Sequence, residues 1–200
     1  MQDRQDLQTV RPFCLDATEV TVDAYTACVA TGRCGADHPS QTTEDGSIFV
    51  DAPTCNYGVS GRGQHPMNCV DWGQASTYCN LRGKRLPTEE EWEWAARGGY
   101  EARSFPWGSE EPRFQLCWSG PIKIGGTCRV GDSPAGDAVG GIHDLAGNVW
   151  EWTSNSTGSD ARVARGGGWS SLVASNLGAS GRTERPSTNR NNDLGFRCAR

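Results

Sequence analysis

Nine scattered cysteines limit the possible folds of this 200-residue chain more than any other feature of its sequence. They stand at positions 14, 28, 34, 55, 69, 79, 117, 128 and 198, without a Cys-x-x-Cys spacing, and the three histidines lie far apart. These spacings argue against a zinc ribbon or a thioredoxin-like redox site. Cysteines separated by loop-sized gaps are typical of disulfide frameworks made in an oxidising compartment. The sequence therefore predicts a secreted or periplasmic protein that is stapled by disulfides and has an odd cysteine.

Proximity along the chain predicts three of the pairs. They are Cys28–Cys34, Cys55–Cys69 and Cys117–Cys128. The first two pairs flank residues 34–63, where Gly, Pro, Ser, Thr, Asp and Asn dominate and no periodicity survives. A loop of this length needs stapling or a function to be ordered.

Regular secondary structure is expected to be short. Helices are predicted after the capping residues Thr21, Asp71 and Thr88, and glycines at positions 32, 83 and 98 end them. A first strand is expected at residues 13–20, and beyond residue 100 only short strands and turns, at residues 105–108, 117–128, 148–153, 162–165 and 195–200.

No repeat and no clear linker divides the chain. We therefore predict a polar arm at residues 1–11 and one α+β domain at residues 12–200 with little regular secondary structure.

Charge and hydropathy exclude two classes of partner. No run of apolar residues approaches the 18 or so that a membrane span needs. The net charge of −5 gives no support to a general nucleic-acid role. Residues 161–200, however, hold seven arginines against Glu184 and Asp193. Such a segment either pairs with carboxylates of the same domain or binds an anionic ligand. The opening residues lack the form of a signal peptide, so an exported protein would have lost its signal.

The stretch from residue 141 to residue 152 combines carboxylates, a turn and tryptophans. Asp144 and Glu151 bracket a Gly-Asn turn, after which Val149 and Glu151 share one face of an extended segment and two tryptophans share the other. Two carboxylates and freed turn carbonyls are the hard oxygen ligands that Ca²⁺ accepts. The alternative is a core hairpin in which the tryptophans pack inward and Glu151 pairs with an arginine.

Several motifs, in order, resemble one family. They are Cys69-Val-Asp-Trp72, Gly83-Lys-Arg-Leu-Pro-Thr-Glu-Glu-Glu-Trp92, Pro106-Trp-Gly108, Asp144-Leu-Ala-Gly-Asn-Val-Trp-Glu-Trp152, Arg162-Val-Ala-Arg-Gly-Gly167 and Gly195-Phe-Arg-Cys198. Together they resemble the formylglycine-generating enzyme, or sulfatase-modifying factor, family over residues 12–199. The resemblance implies a C-type-lectin-like domain that is usually extracytoplasmic in bacteria.

The resemblance also implies a calcium site and a disulfide. The family's calcium ligands map onto the Asp144 and Glu151 side chains and the Gly147 and Val149 carbonyls, which makes calcium the preferred interpretation of that turn. The family's pairing of the second helix with the C-terminal segment implies Cys79–Cys198. Cys14 is then left without a predicted partner.

The family's copper site is absent from the sequence. Family enzymes oxidise a substrate cysteine with O₂ and copper, which two cysteines hold after a Gly-Gly-Ser motif. Here Ser171 stands about where the first thiol would be, Gly168 replaces the serine, and no cysteine occurs between residues 129 and 197. A hydroxyl cannot replace a thiolate as a ligand of Cu(I). We therefore expect no copper cofactor.

These observations favour a binding domain without cysteine-oxidase activity. In retroelement-diversified members of the family, the corresponding C-terminal region is a ligand-binding surface. We expect a surface of this kind here, which would bind a peptide, a protein or a small anionic ligand. Its expected residues are Trp169, Ser170, Ser171, Asn176, Arg182 and Arg185. The protein is expected to be a monomer. The alternative is an enzyme, a divergent oxidoreductase or protein-modifying enzyme that uses other residues.

Overall fold

The computed structural model describes residues 10–36, 55–120 and 124–200. The expected polar arm lies outside these residues apart from positions 10 and 11, as does most of the expected long loop. In the described ranges, no helix has both the length and the apolar character that crossing a bilayer requires.

Three short α-helices begin at the capping residues expected from the sequence. Helix α1 spans Val22–Val29, α2 spans Trp72–Leu81 and α3 spans Glu89–Ala96. Asp71 and Thr88 each close a full capping box, in which side chain and backbone satisfy each other's hydrogen bonds. Such caps define helix starts sharply because the first backbone N–H groups have no partner within the helix.

A four-stranded sheet in the order β3-β2-β1-β4 forms the other regular element. Its strands are β1 (Trp150–Ser156), β2 (Ala161–Arg165), β3 (Arg182–Pro186) and β4 (Leu194–Gly195). Strands β1, β2 and β3 pair antiparallel, and β4 lies parallel to β1. The predicted α+β class with little regular structure is confirmed.

The two faces of the sheet contact different helices. Trp150 and Trp152 pack into the largest core cluster, together with residues of α1 and α2 such as Tyr25 and Tyr78. Glu151, between the tryptophans, points to the opposite side, where Trp92 of α3 donates to it. The period-two alternation of a strand therefore separates an apolar face from a face with charged residues.

Two strand predictions are wrong. Residues 13–20 form no strand: Leu15 makes one bridge to Ala199, and the segment otherwise hydrogen-bonds the C-terminal segment at isolated positions. The described part of residues 117–128 also has no strand, because a disulfide closes it into a loop. Conversely, β3 lies between residues 166 and 194, where no strand was predicted.

Four disulfides hold these elements together. They are Cys28–Cys34, Cys55–Cys69, Cys79–Cys198 and Cys117–Cys128, the four expected pairs. Among the described residues, Cys14 is the free cysteine and it is exposed. Cys79–Cys198 joins α2 to the C-terminal segment across 119 residues of sequence.

Candidate functional site

A groove beside the sheet brings most of the expected ligand-surface residues together. Its volume is about 350 Å³. The residues that line it are Trp150, Ser170, Ser171, Leu172, Val173, Asn176, Arg182, Thr183, Arg185 and Asp193. Five of the six expected residues are in this set. Trp169 is not; its half-buried indole donates to the Asn192 carbonyl at 3.2 Å.

A tight glycine turn precedes the groove residues in sequence. Gly166 and Gly167 have φ of +96° and +72°, values that favour glycine. Ser171 is buried, and its hydroxyl accepts from the Gly168 N–H at 3.1 Å. Ser170 donates to the Asp193 carboxylate at 2.5 Å. The hydroxyl at position 171 therefore closes the turn.

The groove supplies oxygen and nitrogen donors and no sulfur. Its polar members are two serines, a threonine, an asparagine, an aspartate and two arginines. Cu(I) prefers soft thiolate and thioether ligands. The groove residues therefore do not fit the copper ion of the family enzymes.

A second cluster, buried behind the Gly-Asn turn, holds three carboxylates and one arginine. Glu19, Asp144, Glu151 and Arg197 are all at most 6% exposed. Arg197 donates to both Glu151 oxygens, at 2.7 and 2.8 Å. Its remaining N–H groups reach the carbonyls of Asp16, Ala17 and His143. Trp92 adds a bond of 2.9 Å to Glu151.

This pairing bears on the predicted calcium ligand set. Both Glu151 oxygens accept hydrogen bonds from Arg197, as in the alternative considered for this turn. Asp144 accepts from the Gly131 N–H at 2.6 Å. Glu19, which the sequence did not single out, is buried with no hydrogen-bond partner for either carboxylate oxygen. Glu19 lies in the segment Asp16-Ala-Thr-Glu-Val-Thr21, which resembles the family's opening motif, but no role was predicted for it from the sequence.

Burial makes the uncompensated charge costly. It raises the pKa of Glu19 well above its ordinary value, and the neighbouring Asp144 adds to the effect. Burial likewise raises the pKa of Asp144. One arginine cannot neutralise three ionised carboxylates, so the cluster needs either protons or a bound cation.

Oxygen ligands suit calcium at this position. Within the described ranges no three His, Cys, Asp or Glu side chains form a metal-ligand group. Calcium, however, also takes main-chain carbonyls and water. The unpartnered oxygens of Glu19, together with Asp144, are therefore oxygen donors of the kind that calcium accepts.

Comparisons with known proteins agree with this architecture. A model of the sulfatase-modifying factor enzyme 1-like domain matches residues 3–200. The inactive C-alpha-formylglycine-generating enzyme 2 of Bos taurus is 37% identical over 161 residues, which cover 71% of this chain and 52% of the relative. The formylglycine-generating enzyme of Mus musculus is 34% identical over 168 residues, 69% of this chain and 45% of the relative.

A solved structure supports the fold. PvdO from Pseudomonas aeruginosa superposes with a TM-score of 0.74 at 24% identity, over 95% of this chain and 80% of that one. The C-type-lectin-like fold expected from the sequence is thereby confirmed. The chain spans about half the length of the curated relatives it matches. These findings establish that the chain belongs to the sulfatase-modifying factor, or formylglycine-generating enzyme, family.

Proposed function

We propose that this chain is an extracytoplasmic binding domain of the family that does not oxidise cysteine. The observation that carries the proposal is the groove: where the resemblance implies copper-binding thiols, it has Ser171 and no sulfur. The similarity to a relative named inactive supports the proposal. A relative named as the enzyme is almost as similar, so residue chemistry has to decide between the two functions.

The groove has the chemistry of a recognition site. Hydroxyls, an amide and arginines provide directional polar contacts, and Leu172 and Val173 provide apolar surface. Concave sites with a few placed polar groups on an apolar lining are typical of ligand binding. Four disulfides support an oxidising location.

Calcium completes the proposal as a structural ion. Glu19 and Asp144 would hold it, and it would neutralise charge that Arg197 leaves unbalanced. The ion would thereby stabilise the turn before β1, on which the groove residue Trp150 depends.

Copper titration tests the absence of the oxidase site. Cu(I) is added to the protein in competition with a chromophoric chelator, in a Cys14→Ser background that removes the exposed thiol. We expect no uptake above buffer for this background. The double variant Ser171→Cys, Asn176→Cys, which places two thiols in the groove, should take up Cu(I) and serves as the positive control. Tight uptake of one Cu(I) without these thiols would contradict the proposal.

A further inference from the structure

Arg185 is an arginine without an acidic partner inside the groove. It is half-buried in β3, and its Nε is inaccessible to solvent and has no hydrogen-bond partner. Among the described residues, no carboxylate lies within ion-pair distance of it. Two other arginines of the sheet do have acidic partners. Arg165 of β2 pairs with Glu93. Arg182 of β3 pairs with Glu89 and Glu184.

The surroundings of Arg185 add positive charge. Its Cα partner across the strand pair is Arg162, so the two side chains share one face of the sheet. Arg162 stacks over Trp72 at 4.7 Å and, within the described ranges, has no carboxylate partner either. The groove's own acid, Asp193, keeps its negative charge but accepts a hydrogen bond from Ser170 and makes no ion pair with Arg185 among the described residues. An anion entering the groove therefore meets a guanidinium with free donors.

Two of the apolar residues that line the groove are exposed. Leu172 is 83% exposed and Val173 is 53% exposed. Scattered apolar residues on a surface are ordinary. Leu172 and Val173, however, are adjacent and line the same groove as Arg185. Together the three residues form a surface that is both apolar and cationic. The cavity is at the small end for enclosed ligands, so it suits one or two side chains of a longer chain.

From this combination we infer that the groove binds an extended peptide segment of a partner protein that carries an acidic side chain next to a bulky apolar one. Arg185 pairs with the carboxylate through its planar fork, which matches carboxylate geometry. Leu172 and Val173 contact the apolar neighbour. This inference rests on the proposed binding function and specifies its ligand class.

Two matched peptides test the inference. Both are acetylated, amidated and fluorescent, with the sequence Gly-Ser-Leu-Glu-Gly-Ser or the same sequence with Gln in place of Glu. Anisotropy gives their affinities for the full chain, and ¹⁵N–¹H spectra locate the contacts. We expect the Glu peptide to shift amides at residues 171–176 and 182–186, and to bind about tenfold more tightly than the Gln peptide.

Variants separate charge recognition from apolar contact. Arg185→Gln should abolish the preference for Glu without weakening the Gln peptide, and Arg185→Lys should restore part of it. Leu172→Ser should weaken both peptides by the same factor. Arg33→Gln removes an exposed arginine outside the groove and should change neither affinity. Thermal melts establish that each variant is folded.

The outcomes are distinguishable. Equal binding of both peptides to the groove would overturn the acidic preference and leave the binding function intact. No shift of the groove amides with either peptide, or the same loss from Arg33→Gln as from Arg185→Gln, would overturn the inference. Displacement of the Glu peptide by equimolar free glutamate would identify a small acid, not a peptide, as the ligand and overturn it too. Copper uptake in the titration above would overturn the proposed function itself.

Discussion

Among individual residues, the buried carboxylates near Arg197 outnumber the positive charge of that arginine. Glu151 is fully matched by Arg197, whereas Glu19 has two unpartnered oxygens and Asp144 has one backbone donor. Leaving a buried charge unpaired is strongly destabilising. The cluster therefore makes stability depend on whatever neutralises Glu19 and Asp144.

Calcium is expected to raise the melting temperature at neutral pH. Linkage gives about 2.7 kcal/mol of stabilisation when calcium is 100-fold above its dissociation constant. The double variant Glu19→Gln, Asp144→Asn should lose this dependence and, in chelator, be at least as stable as the wild type, because amides carry no buried charge. Glu90→Gln, which changes an exposed acid, is the control. An unchanged melting temperature of the wild type in excess chelator would rule out a stabilising calcium site.

His65 is expected to make stability depend on pH below neutrality. Arg62 donates to its Nδ1 at 3.0 Å, which requires that nitrogen to be unprotonated. Burial, followed by the charge of Arg62, lowers the pKa of His65 below its ordinary value. The unfolded chain then binds the proton first as pH falls, so the free energy of unfolding decreases below about pH 6.5.

The variant His65→Gln isolates this effect. It keeps a hydrogen-bonding side chain near Thr127 and cannot titrate, so its unfolding free energy should fall less steeply than that of the wild type between neutrality and the lowered pKa. Chemical denaturation at several pH values measures both slopes. Identical slopes for the two proteins would contradict the assignment of a neutral His65.

At the level of elements, the features predicted correctly are those that depend on residues close together in sequence. The three helices follow from caps that need only neighbouring residues, such as Thr88 with Glu91. The alternation through β1 placed the tryptophans and Glu151 on opposite faces correctly. Strand β3 was missed because its charged residues give no apolar alternation, and the ion pair of Arg182 with Glu89 of α3 depends on an element far away in sequence.

The disulfide between α2 and the C-terminal segment should dominate the stability contributed by cross-links. It closes 119 residues of sequence, and the entropy model gives about 5 kcal/mol as an upper figure for a loop of this size. Replacing Cys79 and Cys198 by alanine should lower the denaturation midpoint more than replacing Cys28 and Cys34, which are separated by 6 residues. The opposite ranking, or peptide mapping of the native protein that links Cys79 elsewhere, would contradict this account.

For the whole molecule, the sequence predicts the family fold and shows that the copper-binding thiols are missing. It does not predict which residues come together in the groove and in the buried cluster. Motif order identified the fold, and the resemblance to the family's copper-binding segment suggested the expected ligand surface. The roles of Glu19, Arg197 and Asp193 could not be read, because each depends on contacts between distant segments. Trp169 is not among the residues that line the groove, and its indole donates to the Asn192 carbonyl, a contact that the sequence does not show.

The molecule as a whole has the fold of an enzyme family, and the proposed function assigns its groove to recognition. The relatives it resembles include proteins named as active and as inactive, so overall similarity does not decide the matter. The decision rests on the residues where the family resemblance implies copper ligands; there a hydroxyl closes a turn and the groove lining has no sulfur.

Oxidation of a peptide cysteine is the reaction that separates a family oxidase from a binding domain. The wild-type protein is incubated with a sulfatase-type peptide containing cysteine, with Cu(I) and O₂, and the peptide is analysed by mass spectrometry beside a no-protein control. The account predicts that the peptide cysteine remains unchanged apart from background oxidation. Conversion of that cysteine to the aldehyde of formylglycine, well above the control, would contradict it.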